Sequence, residues 1–212
     1  MGTGVQGLLL ETIFLVALAA EAMTAALAAG RRKMDWLGVC LLACVTALGG
    51  GSMRDTLLGH YPLSWVAQPW LLLLVCAAAL LTIAFARFVG YLRWPFLLLD
   101  GLGLVVFTIV GCNVAISMGQ NPIIVIVAGM ITGCVGGVLR DVLCNDVPLL
   151  FSGELYATVS IVTGALYYFG LYFGLPSELV IIAAFLVGFP LRVVAIVYRI
   201  GMPHFVYDKD LR

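Results

Sequence analysis

The 212-residue chain is too apolar for a water-soluble protein. Hydrophobic residues make up 63% of it and charged residues 10%, with a mean hydropathy of +1.14, whereas soluble domains carry roughly 25% charged residues. Eleven basic and eleven acidic residues cancel, and no basic patch indicates a nucleic-acid partner. The composition predicts an all-α integral membrane protein surrounded by membrane lipid, and no soluble partner is inferred.

Seven apolar runs are long enough to cross a membrane, which takes about 20 residues per helix. Short segments with turn residues separate the runs, so successive spans are expected to be antiparallel neighbours. The predicted spans 1 to 7 cover residues 7–29, 36–58, 65–86, 94–117, 122–143, 151–173 and 177–199. Together they predict a single transmembrane domain over residues 1–212.

The basic residues predict how the chain is oriented in the membrane. They collect after spans 1, 3 and 7, at Arg31, Arg32, Lys33, Arg87, Arg93, Arg199, Lys209 and Arg212. The segments after spans 2, 4 and 6 carry no Lys or Arg. The segment after span 5 has Asp146 as its single charged residue. We therefore expect the N-terminus outside and the C-terminus in the cytoplasm.

A six-residue motif occurs twice, 86 residues apart. Residues 50–55 read GGSMRD and residues 136–141 read GGVLRD, and the longer stretches 43–63 and 129–149 align without gaps with eight identities in 21 positions. Upstream, LLLE at 8–11 resembles LLLD at 97–100, at an offset of 89 residues.

Each repeat then contains three spans, about 7–86 and 94–173, and the seventh helix, about 177–199, is left over. Because three is an odd number, the second repeat must enter the membrane the opposite way round. Inverted repeats of this kind are typical of transporters and channels, whose sites lie near the midplane between the halves.

Adjacent glycines predict bent helices in spans 2 and 5. They are Gly49, Gly50 and Gly51 in span 2 and Gly136 and Gly137 in span 5. Each glycine lowers helix stability by about 1 kcal/mol relative to alanine. A bend would free carbonyl oxygens, which a dehydrating cation requires. The alternative is that the glycines are only packing notches, where two helices approach closely.

Each copy of the motif also carries an adjacent arginine and aspartate, Arg54 with Asp55 and Arg140 with Asp141. Charges at membrane depth indicate an ion or substrate path, although an arginine near a span end can instead extend to the headgroups. Neighbouring residues point to different sides of a helix, so we do not expect the members of each pair to bind each other.

Other carboxyl groups are then needed as partners for the two arginines. The candidates in spans 1 and 4 are Glu11, Glu21 and Asp100. They either line the path or lock two helices together through hydrogen bonds. We interpret the Arg–Asp pairs as charges that set the potential of the pathway and form a gate.

The sequence contains no evident catalytic set. Neither histidine lies in a span, and no serine or cysteine has a base at motif spacing. The six cysteines form no C-x-x-C pair, so neither a zinc site nor a disulfide framework is indicated. We expect no enzyme activity, no metal site and no cofactor other than a permeant potassium or sodium ion.

The two motifs, GGGSMRD at 49–55 and VGGVLRD at 135–141, on spans 2 and 5 of a seven-span inverted repeat, resemble those of the prokaryotic TRIC proteins. These are trimeric intracellular cation channels, and some bacterial members carry a glycine-transporter domain label. The resemblance covers about residues 8–200. One departure is Val135, which stands at the position of Gly49 and implies a smaller second bend.

This resemblance implies a homotrimer in the plasma (inner) membrane of a prokaryote. Each protomer would hold its own pore for monovalent cations, with potassium favoured. The five glycines of spans 2 and 5 would shape that pore, and the two Arg–Asp pairs match the charged pair of the family's motif.

Two functions of different classes remain open on the sequence. The first is a passive cation channel between the two bent helices. The second is a secondary carrier of glycine or another small zwitterion, in which half-helix N-termini bind the carboxylate and either backbone carbonyls or Asp55 and Asp141 hold the amine. The bends offer few hydrogen-bonding side chains, which favours the channel. A third reading, in which the motif only locks packing, makes the protein structural.

Overall fold

The computed structural model describes residues 4–86, 93–151 and 155–202, and side chains from residue 7 onward. This part of the chain is all-helical. Its helices are α1 (Gly4–Arg31), α2 (Trp36–Leu58), α3 (Ser64–Ala67), α4 (Trp70–Ala86), α5 (Arg93–Ser117), α6 (Pro122–Leu143), α7 (Ala157–Tyr172) and α8 (Ser177–Tyr198), with a 3-10 turn at Leu149–Phe151. Three basic residues used to predict the orientation, Arg87, Lys209 and Arg212, lie outside the described residues.

Five of these helices, α1, α2, α5, α6 and α8, are long and apolar enough to cross a membrane. The apolar helix α7 has 16 residues and is about 24 Å long at 1.5 Å per residue, which is shorter than a hydrocarbon core of about 30 Å. Helix α4 has 17 residues up to Ala86, the last described residue before the gap at 87–92. The count of seven spans therefore stays a prediction.

The helix bounds agree with the predicted spans where a local signal marks the helix start. Helices α2 and α6 cover the same residues as predicted spans 2 and 5. Predicted span 3 is instead divided into α3 and α4 at Gln68 and Pro69, because a residue before proline disfavours the helical conformation. Helix α7 begins six residues after the predicted start of span 6, following the 3-10 turn.

The internal repeat extends to the helix caps. Asp35 Oδ1 accepts a hydrogen bond from the Gly38 N–H at 2.7 Å, and Asn121 Oδ1 accepts one from the Ile124 N–H at 3.1 Å. These two N-caps are 86 residues apart, the offset of the motif. Gly59 and Asn145, also 86 apart, follow the two helices with positive φ angles of 70° and 53°. The backbone of α2 and its flanks is thus repeated in α6.

Helices α2 and α6 pack against each other, each within its own three-helix unit. In the first unit α1 packs on α2 and α4; in the second, α6 packs on α5 and α7. Helix α5 also contacts α1 and joins the two units, while α8 lies against α7 and α5. Buried apolar side chains form two clusters, one mainly from α1, α2 and α4 with part of α5, and the other from α5, α6, α7 and α8.

The α2–α6 crossing depends on one glycine from each motif. A Cβ on Gly50 would lie less than 3.0 Å from the carbonyl oxygen of Thr132, and a Cβ on Gly136 would lie less than 3.0 Å from that of Thr46. Thr46 and Thr132 are themselves 86 residues apart, so the contact is reciprocal. These two glycines therefore allow the backbones of α2 and α6 to approach closely.

Both helices are continuous α-helices across their glycines, from Trp36 to Leu58 and from Pro122 to Leu143. The α-helical hydrogen bonding of the backbone is therefore not interrupted at either motif. A bend within these continuous helices stays a prediction.

Candidate functional site

A cavity of about 550 Å³ lies beside the first motif. It is bordered by α1, α2, α5 and the segment from His60 to Leu71, and it reaches Thr132 of α6. Its polar lining includes Glu11, Arg54, His60, Gln68, Asn113 and Thr132. Several aromatic and aliphatic side chains complete the wall, so a few polar groups face a largely apolar space, as in ligand and ion sites.

Arg54 binds the residue that follows it in the sequence. Its Nε and Nη2 donate to Asp55 Oδ1 at 2.9 and 2.7 Å, and its Nη1 lies 3.4 Å from Thr132 Oγ1. Arg54 is 3% exposed and Asp55 is 0% exposed, so the arginine does not extend to the headgroups. His60 Nδ1 lies 3.1 Å from the same Asp55 oxygen. We call these three residues and the adjoining cavity the Arg54 site.

The second motif forms a closed cluster, which we call the Arg140 site. Arg140 Nε donates to Asp141 Oδ1 at 2.8 Å, and Nη1 donates to Asp100 Oδ1 at 2.8 Å and to Thr24 Oγ1 at 3.0 Å. Glu21 Oε2 lies 3.8 Å from the same Nη1. One guanidinium therefore contacts three carboxyl groups, and two of them, Asp100 and Glu21, join α6 to α5 and α1.

The side chains of the Arg140 site are buried, with Asp141 the most exposed of its carboxyl groups at 6%. Arg140 and Asp100 are 0% exposed and Glu21 is 2% exposed. The ring of Phe96 covers the guanidinium with its centroid 4.6 Å from the guanidinium carbon. Glu21 in turn fits against Gly103, where a Cβ would lie less than 3.0 Å from the carboxyl group. Such a buried charge requires close partners to offset its desolvation.

The expectation that adjacent arginine and aspartate do not pair is wrong at both motifs. The Cα–Cβ bonds of neighbouring residues do diverge, but the long arginine side chain turns back and brings its guanidinium to the next carboxylate. The expectation of further carboxylate partners is confirmed for Arg140, which contacts Asp100 and Glu21. Among the described residues, Arg54 has no carboxylate within ion-pair distance other than Asp55.

The glycines of the motifs differ in their surroundings. Gly51 lines the cavity, and a Cβ there would have its nearest contact at 3.8 Å, to Arg54 Nη2. A Cβ on Gly49 would lie 2.7 Å from Leu139 Cδ1 of α6. A Cβ on Gly137 would face the Arg140 site, 3.0 Å from the Tyr156 hydroxyl. The structure therefore places the motif glycines at the helix crossing, at the cavity and at the buried cluster.

Several residues at these two sites carry no signal in the sequence. His60 lies in a connecting segment, Thr24 and Phe96 belong to other helices than the motif they serve, and Tyr156 directly precedes α7. Arg192 of α8 is also buried, and its guanidinium carbon lies 4.8 Å from the Tyr156 ring centroid. Of these residues, Arg192 alone is marked in the sequence, as an isolated arginine within an apolar run.

Comparisons with known proteins agree with this architecture. The family model described as "Glycine transporter" matches residues 11–87 and 97–172, one match per repeat. The inner membrane protein YadS of Escherichia coli K12, a UPF0126 protein, is 36% identical over 200 residues, which are 93% of this chain and 97% of that protein.

Solved structures of TRIC channels have the same fold. The TRIC trimeric intracellular cation channel orthologue from Rhodobacter sphaeroides superposes with a TM-score of 0.87 at 33% identity, over 91% of this chain and 99% of that one. A second TRIC cation channel superposes with a TM-score of 0.85 at 32% identity, over 94% and 98%. A channel from C. elegans, with a TM-score of 0.61 at 14% identity, shares the fold.

The two family matches cover most of the chain, the bacterial relative spans nearly its full length, and five described helices are long enough to cross a membrane. The chain is therefore a multi-pass membrane protein, and it belongs to the prokaryotic TRIC family, which shares the glycine-transporter family model.

Proposed function

We propose that the protein is a channel for monovalent cations, with potassium favoured, and that each protomer contains its own pathway between α2 and α6. The observation that carries the proposal is the likeness to solved TRIC cation channels at 33% identity over nine-tenths of the chain. The cavity supports it, because it approaches the α2–α6 crossing and contains Glu11 among its polar groups.

The path in this proposal runs through the cavity to the crossing at Gly50 and Gly136. There the two helix backbones are in direct contact, so conduction requires α2 and α6 to separate or bend at their glycines. The glycines Gly49, Gly51 and Gly137 flank this point. In the proposal, the Arg–Asp pairs of the Arg54 and Arg140 sites set the potential on either side of the crossing and form the gate.

The proposal includes the assembly and placement of the chain. Three copies form a homotrimer in the inner membrane of a prokaryote, with the N-terminus outside and the C-terminus in the cytoplasm. The whole chain acts as one transmembrane domain of two three-span repeats and a seventh helix. No resident cofactor is needed, since the permeant potassium or sodium ion is itself the ligand. Light scattering in detergent should give three times the 22.7 kDa protomer mass.

Planar-bilayer recording of the purified protein tests the channel directly. In symmetric potassium chloride we expect stepwise currents, which should vanish when N-methyl-D-glucamine replaces potassium. Under a potassium-to-sodium bi-ionic gradient, the reversal potential should show a preference for potassium. The absence of stepwise currents from correctly assembled protein would contradict the proposal.

One observation favours a second candidate, a carrier of a small zwitterion such as glycine. The cavity presents both Arg54 and Glu11, and it adds Gln68 and Asn113 to the hydrogen-bonding groups near the motif. A site with opposite charges could bind a carboxylate and an amine together. Saturable counterflow of labelled glycine in liposomes, without measurable current, would favour the carrier over the channel.

A further inference from the structure

The two repeats place a carboxyl group at equivalent positions, Glu11 in α1 and Asp100 in α5, within the matching segments LLLE and LLLD. Asp100 is 0% exposed, and its Oδ1 accepts a hydrogen bond from Arg140 Nη1 at 2.8 Å. In the second repeat, the carboxyl group at this position is therefore paired with a cationic side chain of the protein itself.

Glu11 has a different environment in the first repeat. It is exposed and lines the cavity together with Arg54. Within the described part of the chain it forms no ion pair. Arg54 Nε and Nη2 both bind Asp55 and its Nη1 lies 3.4 Å from Thr132 Oγ1, and Arg54 forms no ion pair with Glu11. Asp100 is thus neutralised by Arg140, whereas its equivalent Glu11 in the cavity has no ion-pair partner among the described residues.

The remaining groups of the cavity suit a weakly dehydrated monovalent cation. Ser52, Gln68, Asn113 and Thr132 supply neutral oxygen atoms along the wall. The volume of about 550 Å³ leaves room for water around an ion, since one water occupies about 30 Å³ of liquid. A divalent cation that discards its water is usually held by several carboxylates, and among the described residues Glu11 is the only acidic one in this lining.

We propose that Glu11 and the cavity form a binding site for one partly hydrated monovalent cation, which takes the place that the Arg140 guanidinium takes beside Asp100. The site deepens the proposed channel function and rests on it for its role in permeation. Arg54 lies on the same cavity, and in the site it limits how tightly the cation is held.

Conduction by charge-neutral variants tests the role of the site. Glu11→Gln should lower the single-channel conductance at low ionic strength and raise the potassium concentration for half-saturation, by on the order of tenfold for a charge that concentrates ions in a cleft. Glu11→Asp, which keeps the charge, should retain most of the wild-type conductance. Glu178→Gln is the matched control, since it removes one acidic side chain at the start of α8, outside the cavity lining.

Chemical labelling tests occupancy without any current. A water-soluble carbodiimide with an amine nucleophile should modify Glu11, and potassium should protect it relative to N-methyl-D-glucamine at equal ionic strength. Glu178 should show no such protection. Peptide mass spectrometry gives the extent of labelling at each residue, and elution of the variants at the wild-type position on size exclusion controls for folding.

The outcomes separate the site from the channel. If the wild-type protein conducts, but Glu11→Gln behaves like Glu178→Gln and potassium does not protect Glu11, the site is wrong and the channel stands. If potassium protects Glu11 and the wild-type protein carries no current, the site stands and the channel is wrong. Protection of Glu11 together with a selective loss of conductance in Glu11→Gln supports both.

Discussion

Arg54 and Arg140 are equivalent residues of an internal repeat, and each binds the aspartate that follows it, but their surroundings differ. Arg54 borders a cavity of about 550 Å³, whereas Arg140 is 0% exposed and holds groups from three helices. The Arg–Asp contact is thus a property of the local sequence. The surroundings depend on the residues that the other repeat contributes.

The contribution from the other repeat explains much of this difference. Glu21 and Thr24 of α1 approach Arg140 from the first repeat. At the offset of 89 residues, their equivalents in α5 are Val110 and Asn113, which line the cavity beside Arg54. Val110 cannot bind a guanidinium, and the Asn113 side chain accepts a hydrogen bond from Tyr167 instead, at 3.0 Å. The Arg54 site therefore lacks an equivalent of the Glu21 carboxyl group, which the first repeat contributes to the Arg140 site.

The largest expected effect compares the two arginines as glutamines. Arg140→Gln leaves several carboxyl groups buried without their cation, so we expect a loss of about 3–5 kcal/mol in the free energy of unfolding. Arg54→Gln should cost less, about 1–3 kcal/mol, because it affects one aspartate beside a cavity that water can enter. Unfolding by sodium dodecyl sulfate titration measures both. Equal losses in the free energy of unfolding would mean that water has equal access to the two sites, which would contradict the difference described between them.

The next effect compares glycines at the helix crossing with a glycine at the cavity. Gly50→Ala and Gly136→Ala each force a methyl group against a backbone carbonyl of the facing helix, and overpacking of this kind costs about 1–3 kcal/mol. Gly51→Ala is the control in the same helix, since its methyl group would meet no atom closer than 3.8 Å. It should be neutral or stabilising by up to about 1 kcal/mol.

The same series separates packing from bending. If Gly50 and Gly136 act through close packing, their alanine variants should lower the free energy of unfolding and Gly51→Ala should not. If bending at the glycines governs conduction, Gly51→Ala should reduce current in bilayer recordings while leaving stability unchanged. If none of the three variants loses stability or current, the glycines are needed neither for close packing nor for bending.

How far the sequence predicts this structure depends on how local each signal is. The bounds of α2 and α6 follow from their caps, Asp35 and Asn121, and the repeat identifies both motifs. Predicted span 3 is wrong at its start because hydropathy continues through α3 while Pro69 ends the helix. The site residues Thr24 and Phe96 could not be found, since only tertiary packing brings them to Arg140.

The Arg–Asp pairing was missed for a different reason. Directions of Cα–Cβ bonds on a helix separate Arg54 from Asp55, but a side chain as long as arginine reaches its neighbour by curling along the helix surface. The asymmetry of the two halves was also beyond sequence reasoning, because it depends on which side chains of one repeat pack into the other. His60 is an example: its contact with Asp55 follows from the turn after α2.

The smallest expected effect concerns the residue equivalent to His60 in the second repeat, Asp146. His60 turns inward to Asp55, whereas Asp146 forms an ion pair with Arg32, which also donates to the Asn145 carbonyl at 3.1 Å. Both side chains of this pair are about 40% exposed. Solvent screening limits such a pair, so Asp146→Asn should cost less than about 1 kcal/mol.

A double-mutant cycle of Arg32→Gln and Asp146→Asn checks this contact. We expect a coupling free energy of about 0.2–1 kcal/mol that decreases as salt is added. Asp35→Asn is the control, because it removes one exposed acidic charge while asparagine can still cap α2. A coupling that is large and independent of salt would mean that this contact holds the first repeat to the Arg140 site. The closed state of that site would then depend on a surface contact as well as on its buried carboxyl groups.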